Sequence, residues 1–348
     1  MSIPRLLFMI GLTIASGGGA LAQERGVDQA TAMIDRSALE AFAAEHVAEH
    51  GGDVDEILRV LEGATVRAGV LERIARPAER VLGWADYRRI FLDEPRIENG
   101  ARFLAEHADL LARAEAEHGV APAHLVALLG VETRYGEIQG DWPVLDALYT
   151  LTFAYPPRSA FFRGQLSEFL RLAREEGQPA DAFLGSYAGA MGYGQFIPSS
   201  YRHYAVDFDG DGDRDIWNDV QDAVGSVANY LARNGWARGG EVLRWVRVDD
   251  PQRSAELLSE GLPLERTVGE LRAAGVLDLE DLPADEPAGY WRLQVDGGER
   301  HAVTFGNFRT ITRYNHSHLY AFAVDTLARE IRAAATAQED AAASGSDR

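Results

Sequence analysis

Apolar residues recur at helical spacing along most of the chain. In SALEAFAAEHVAEHG (37–51), Leu39, Phe42, Ala43 and Val47 fall on one stripe, and Gly51 is placed to stop the helix. DVDEILRVLEGA follows with Ile57, Leu58 and Leu61, and Pro77 breaks the pattern. WADYRRIFL (84–92) reads as an aromatic-rich helix ended by Pro95, and IENGARFLAEHADLLARAEAEHG (97–119) as one long amphipathic helix closed by Gly119. Pro122 opens the next helix, where its missing N–H costs nothing, and Gly136 is placed to end it. DWPVLDALYTLTFAYPP gives a short helix and a proline turn, and SAFFRGQLSEFLRLAREEG a further amphipathic helix. GSYAGAMGYGQFIPSSY (185–201) reads as a Gly-rich loop; an acidic loop and a helix ending at Gly235 come next.

From about Glu241 the texture changes. EVLRWVRVDD, YWRLQVDG and RHAVTFGN alternate polar and apolar, the period of half-buried strands, with helical TVGELRAAGV between them. HSHLYAFAVDTLAREIRAA is a last helix, and TAQEDAAASGSDR (336–348) is small and polar enough to be a disordered tail. The expectation is a mainly α chain of α+β type with no internal repeat.

Of the 348 residues, 46% are hydrophobic and 25% charged, so a core can form. A net charge of −20 with no basic run excludes nucleic acid as a partner. Arg5 followed by the apolar LLFMIGLTIA and the small residues Ala20–Ala22 reads as a signal peptide over 1–22, too short to span a bilayer comfortably. The competing reading is an N-terminal membrane anchor. Without cysteine the chain has no disulfides and no site for lipid attachment, and no second apolar stretch is long enough to span. A periplasmic protein, not a lipoprotein, is expected.

DFDGDGDRDIWN (207–218) carries oxygen side chains at loop positions 1, 3, 5 and 9, namely Asp207, Asp209, Asp211 and Asp215. Gly212 stands at position 6, and Asp213 at position 7 offers its carbonyl. This is the EF-hand calcium pattern with helices on both sides. Position 12, where the pattern has a bidentate Glu, holds Asn218, with Asp219 beside it. The expectation is a weak, structural Ca2+ site and no organic cofactor; the bland alternative is a solvated acidic turn.

LLGVETRYG (128–136) puts Glu132 on the face shared by Leu125, Leu128 and Leu129. A carboxyl in apolar surroundings is favoured in its protonated form, which suits an acid that donates to a leaving group. The bland reading is a core Glu held by Arg134 or a backbone amide. Glycines 185, 189, 192 and 194 surround Ser186, Met191 and Gln195 in a loop that lets a substrate approach the backbone. No second acid stands in this loop or beside RYN (313–315), whereas glycosidases commonly use two.

GVETRYG, GSYAGAMGYGQFIPSSY, DFDGDGDRDIW, GSVANYLARNGW and RYNHSHLYAFAV together resemble the membrane-bound lytic murein transglycosylase B family, across nearly the whole mature chain. The resemblance implies a lysozyme-like core with an EF-hand-like loop, a helical domain and a small β-containing domain. Laid on this chain, that gives a helical domain over 23–118, a core over 119–240 resumed at 305–335, and the β-containing domain over 241–304. It implies cleavage of the bond between N-acetylmuramic acid and N-acetylglucosamine in peptidoglycan without water. Glu132 would act first as acid and then as base, leaving 1,6-anhydromuramyl ends. Ser186, Gln195, Tyr314 and Asn315 match substrate-binding positions, as do Tyr87, Arg158, Tyr230 and Tyr320. Pro157 stands where a second basic residue is expected beside Arg158. The competing readings are a hydrolytic muramidase and a non-catalytic, calcium-stabilised peptidoglycan-binding protein. Cell-wall synthesis or division proteins are conceivable partners that the sequence does not name.

Overall fold

The computed structural model describes residues 34–75 and 82–345. The signal-peptide reading of 1–22 and the break at Pro77 lie outside them. The described chain runs through α1 (Arg36–His50), α2 (Val54–Gly63), α3 (Ala68–Ile74), α4 (Trp84–Phe91), α5 (Glu94–Glu106), α6 (Ala108–His118) and α7 (Pro122–Thr133). The short strand β1 (Trp142–Pro143), α8 (Val144–Phe153), α9 (Ser159–Glu175), β2 (Leu184–Gly185) and α10 (Pro198–Tyr204) follow. Then come α11 (Val220–Arg233), β3 (Leu243–Val246), α12 (Pro251–Ala255), β4 (Arg266–Thr267), α13 (Val268–Ala273), β5 (Pro287–Val295), β6 (Gly298–Thr304), α14 (Gly306–Tyr314) and α15 (His318–Gly345). The chain is mainly helical with small sheets, as its patterning requires.

The described residues fall into two compact units. One takes those within Glu79–Tyr135 and Val224–Arg348, the other those within Ile10–Ala78 and Gly136–Ala223. Each is assembled from separated stretches of chain.

In the first unit α15 is the central element and packs on α5, α7 and α14. Helix α7 is apolar almost all round, with Leu125, Val126, Leu128 and Leu129 fully buried, which marks an interior helix. The antiparallel sheet has strand order β3-β6-β5-β4. Its register sets Tyr290 opposite Val303 and Trp291 opposite Ala302. Alternation therefore sends Val246, Tyr290 and Val303 into one core with Val268, Leu271 and Phe305. It turns Trp245 and Trp291 to the other face, where both rings lie within 6.2 Å of the Phe322 ring of α15.

In the second unit α9 packs on α8 and α10, and α3 on α8. Asp146, nearly buried on α8, accepts from the Arg67 guanidinium (Nε 2.7 Å) and from the Thr65 amide at 2.8 Å. Pairing of β1 with β2 brings Trp142 opposite Gly185.

Three local expectations are corrected. Pro95 does not end a helix; it stands in the first turn of α5, which Asp93 caps by accepting from the Arg96 amide. The long helix over 97–119 is broken at His107, whose ring packs 4.3 Å from Phe103; no glycine or proline marks that break. The tail from 336, expected to be disordered, continues α15 as far as Gly345. Its alanines are the best helix formers, and they extend a helix already nucleated by its packing.

Candidate active site

Helix α7 carries Glu132 to its last turn, where the residue is 7% exposed. The helix ends on left-handed residues that are not glycine: Arg134 (φ 52°) and Tyr135 (φ 64°), followed by Gly136 (φ 92°). The expected stop at Gly136 thus begins two residues earlier. Such conformations cost about 1–3 kcal/mol each and persist only where surroundings over-determine them. Here Arg134 pairs with Asp93 at 3.3 Å, and the Tyr135 hydroxyl donates to the Arg96 carbonyl at 2.6 Å. The Tyr135 ring fills the space left by Gly130, where a Cβ would lie 2.6 Å from its hydroxyl. The turn after Glu132 is therefore locked by tertiary contacts.

Tyr320, on α15 and 1% exposed, donates its hydroxyl to Glu132 Oε1 at 2.5 Å. Tyr314, at the end of α14, meets Tyr230 of α11 edge to face, with ring centroids 4.7 Å apart. The Tyr230 hydroxyl donates to the Arg313 carbonyl at 2.7 Å, so Tyr230 holds the end of α14 in place. Burial, and then the charge of Glu132, push the Tyr314 and Tyr320 phenols well above their ordinary range. Both stay protonated donors at any working pH. Tyr87, 3% exposed, adds a smaller upward push on Tyr320 and packs its ring 5.0 Å from Phe91. Asn315 is buried and forms the C-cap of α14, its amide donating to the Ile311 carbonyl at 3.3 Å.

Ser186 and Gln195 belong to the second unit. Ser186 Oγ accepts from the amides of Ala188 (3.3 Å) and Ala190 (3.1 Å) and so orders the loop. Met191 and Phe196 exchange backbone hydrogen bonds, each 2.9 Å, and close a tight turn in which Gln195 has φ 49°. Gln195 Nε2 donates to the carbonyls of Gln139 (2.9 Å) and Gly192 (3.1 Å), which leaves its Oε1 as the acceptor it offers. Three of the loop glycines also have a packing reason. A Cβ on Gly185 would lie 2.2 Å from the Ala190 carbonyl oxygen, one on Gly192 2.5 Å from that of Ile216, and one on Gly189 2.6 Å from Leu148. The protein's own atoms, not a substrate, take up that space. Arg158, also in this unit, lies with its guanidinium over Phe161 (4.6 Å) and Phe162 (5.3 Å), and burial lowers its pKa.

The acidic loop brings carboxylate oxygens of Asp207, Asp209 and Asp211 within 4.8 Å of one another. Oxygen-only donors at alternate positions suit a hard cation. Backbone amides already bend towards them: Asp207 accepts from Gly210 (2.7 Å) and Gly212 (3.0 Å), and Asp211 from Asp213 at 3.1 Å. Burial and the neighbouring Asp211 and Asp215 raise the Asp213 pKa. Asp215 Oδ1 accepts from the Trp217 and Asn218 amides, each at 2.9 Å, and the Asn218 side chain donates to Asp215 Oδ2 at 2.9 Å. Asp219 caps α11, accepting from Gln221 at 2.5 Å.

Residues 35–329 match the Transglycosylase SLT domain family. The chain belongs to this family. It is 37% identical over 300 residues to membrane-bound lytic murein transglycosylase B of Escherichia coli K12, covering 86% of this chain and 80% of that protein. Among solved structures it is similar to soluble lytic transglycosylase SltB1 of Pseudomonas aeruginosa, with TM-score 0.81 and 43% identity over 85% of this chain and 98% of that one. It is also similar to E. coli lytic transglycosylase Slt35 in complex with calcium, with TM-score 0.78 and 38% identity over 86% of this chain and 93% of that one. P. aeruginosa SltB3 in complex with NAG-NAM-pentapeptide gives TM-score 0.72 and 33% identity, covering 84% of this chain and 78% of that one.

Within this SLT-domain chain, sequence reasoning missed one residue of the acidic loop. Asp222, 1% exposed, accepts from the Phe208 amide at 2.6 Å and the Asp215 amide at 2.8 Å, and so ties the two arms of the loop together. It lies beyond the twelve-residue pattern; a buried Asp on the apolar side of α11 was the available signal. No helix of the described residues is long and apolar enough to cross a membrane.

Proposed function

We propose that this chain cleaves peptidoglycan glycan strands as a lytic transglycosylase, with Glu132 supplying and then recovering the proton. The observation that carries the role of Glu132 is its near-complete burial at a helix end under the Tyr320 hydroxyl. Tyr320 donates to Oε1 of the carboxyl that carries the exchangeable proton. In the first step that proton passes to the glycosidic oxygen as the C1–O bond between N-acetylmuramic acid and N-acetylglucosamine breaks. In the second, the ionised carboxylate takes the proton from the muramyl 6-hydroxyl as its oxygen bonds to C1. Glu132 ends protonated, the product is a 1,6-anhydromuramyl end, and no water is consumed. Because Glu132 acts on both sides of the intermediate, a second carboxylate is not required.

Tyr314 and Tyr320, kept as O–H donors, are suited to steady the carboxylate between the two steps. Ser186 Oγ and Gln195 Oε1 offer one donor and one acceptor for sugar hydroxyl and N-acetyl groups. Asn315 and Tyr87 are retained as substrate-contact positions, and Arg158 as a partner for a substrate carboxylate. Tyr230 is better described as holding Tyr314. The Asp207–Asp209–Asp211 cluster would hold Ca2+, with Asp213, Asp215 and Asn218 contributing to the loop that shapes it; the ion would neutralise mutually repelling carboxylates and fix the loop. Export to the periplasm fits both the substrate and the leader-like first 22 residues.

The test is product analysis of purified sacculi by mass spectrometry. Anhydromuramyl ends are expected from the native chain, and Glu132→Gln should lower release by about 10³-fold or more. Reducing ends instead would make the protein a muramidase. Unchanged release by Glu132→Gln would remove Glu132 from the chemistry.

A further inference from the structure

A cavity of about 230 Å3 in the first unit is lined by side chains that the chemistry of Glu132 does not use. Helix α4 supplies Trp84 and Arg88, one turn apart on the same face; the sheet supplies Trp245, Val295 and Arg300; α15 supplies Arg329 and Glu330. Of the α15 residues that line it, Thr326 and Arg329 lie six and nine residues beyond Tyr320, about 9 and 14 Å along the axis of α15. The cavity is therefore distinct from the surroundings of Glu132.

Its charge is unusual for this molecule. The chain carries a net −20, yet three guanidinium groups and one carboxylate border this cavity. Arg329 is satisfied by Asp325 at 2.6 Å and by the Leu243 carbonyl at 2.6 Å. The neighbouring Arg89 takes the available acids, Asp86 at 3.1 Å and Asp296 at 2.6 Å. Arg88 and Arg300 enter no ion pair among the described residues, with Glu330 or with any other acid. Nor does Arg300 simply extend into water: its guanidinium sits 4.1 Å over the Trp245 ring, which pins a cation at the cavity wall. Burial, and then the like charge of Arg88, lower the Arg300 pKa. Two cations thus face one space, neither of them paired with an acid among the described residues. The walls beside them, Trp84, Trp245 and Val295, are apolar.

We propose that this cavity binds the terminal carboxylate of a peptide, with Arg88 and Arg300 gripping the two oxygens and the tryptophan and valine walls receiving the adjoining small side chain. The volume suits a chain end; pockets for whole small-molecule ligands run to roughly 300–1,000 Å3. Two guanidinium groups match a carboxylate's two acceptors. Resting on the proposed function, the source of such a carboxylate is the stem peptide of peptidoglycan, so this is a second foothold for the substrate away from the bond that is cut.

The test is calorimetric titration of the full chain with a stem pentapeptide that has a free C-terminal carboxylate, and with the same peptide amidated at that end. The acid is expected to bind and the amide to bind about tenfold or more weakly, as befits a charge-assisted pair. The Arg88→Ala/Arg300→Ala double variant should lose binding of the acid with its melting temperature little changed, since neither side chain enters an ion pair and both stand at the surface. Glu330→Gln should tighten binding by removing a like charge from the mouth. Equal binding of acid and amide, or undiminished binding by the double variant, overturns the proposal. The readout needs no turnover, so an empty cavity and an inactive Glu132 are separate results.

Discussion

The Tyr320 hydroxyl and Glu132 Oε1, 188 residues apart in sequence, stand 2.5 Å apart in the folded chain. A donor on a carboxylate favours its ionised form, whereas the apolar residues of α7 favour the neutral one. Tyr320→Phe removes only the first influence. The alkaline limb of the pH–activity profile, where Glu132 loses the proton it must donate, is therefore expected to move to higher pH. A charge-assisted bond worth about 1.5–3 kcal/mol corresponds to a roughly 10- to 100-fold fall in turnover if it is fully used in the intermediate. Rate profiles from pH 4 to 9 check this; an unmoved alkaline limb would detach Tyr320 from the proton transfer.

Gly130→Ala reverses an ordinary rule. In a helix interior this change usually stabilises by about 1 kcal/mol. Here the new Cβ would meet the Tyr135 hydroxyl at 2.6 Å and its ring carbons at 2.7 and 2.8 Å. Overpacking of this kind costs about 1–3 kcal/mol, so a net loss of stability is expected. Activity should fall with it, because Tyr135 locks the turn that follows Glu132. Thermal unfolding and sacculus release measure the two effects.

Calcium should raise the melting temperature with little direct effect on the chemistry. For a weak site with Kd near 10⁻³–10⁻⁴ M, 10 mM calcium contributes about 1.4–2.7 kcal/mol. Asp209→Asn should remove the response to calcium while leaving the metal-free protein no less stable, since it also relieves repulsion among clustered carboxylates. Calorimetry with and without chelator distinguishes the two; a calcium response that survives in Asp209→Asn would place the ion elsewhere.

His46 gives the second unit an acid sensitivity. It is 3% exposed, its Nδ1 lies 2.8 Å from Ser167 Oγ, and burial lowers its pKa from 6.5 to about 4. A depressed folded-state pKa means that the unfolded chain takes up the proton first. The stability is fully present above pH 6.5 and is lost as pH falls towards 4, by up to about 3 kcal/mol. His46→Gln, which cannot be protonated, should flatten the dependence of melting temperature on pH in that window. An unchanged slope would assign the acid sensitivity to other groups.

The sequence by itself determined what depends on neighbours along the chain. The apolar period of α7 with Glu132 inside it, the alternation of β3, β5 and β6, the Asp207–Asp209–Asp211 spacing and the Gly51 stop all follow from repeats of two to four residues, and all are in the folded chain. Tertiary structure decided the rest. It chose which phenol meets Glu132, let Asp222 tie the arms of the acidic loop, and held Arg134 and Tyr135 in a left-handed turn through Asp93 and Arg96. It also gave the loop glycines their reason, the carbonyls and side chains that already occupy the place of a Cβ. Those relationships join residues far apart in sequence. Periodicity records which side of an element faces inward, but what it meets there is fixed only when the elements pack.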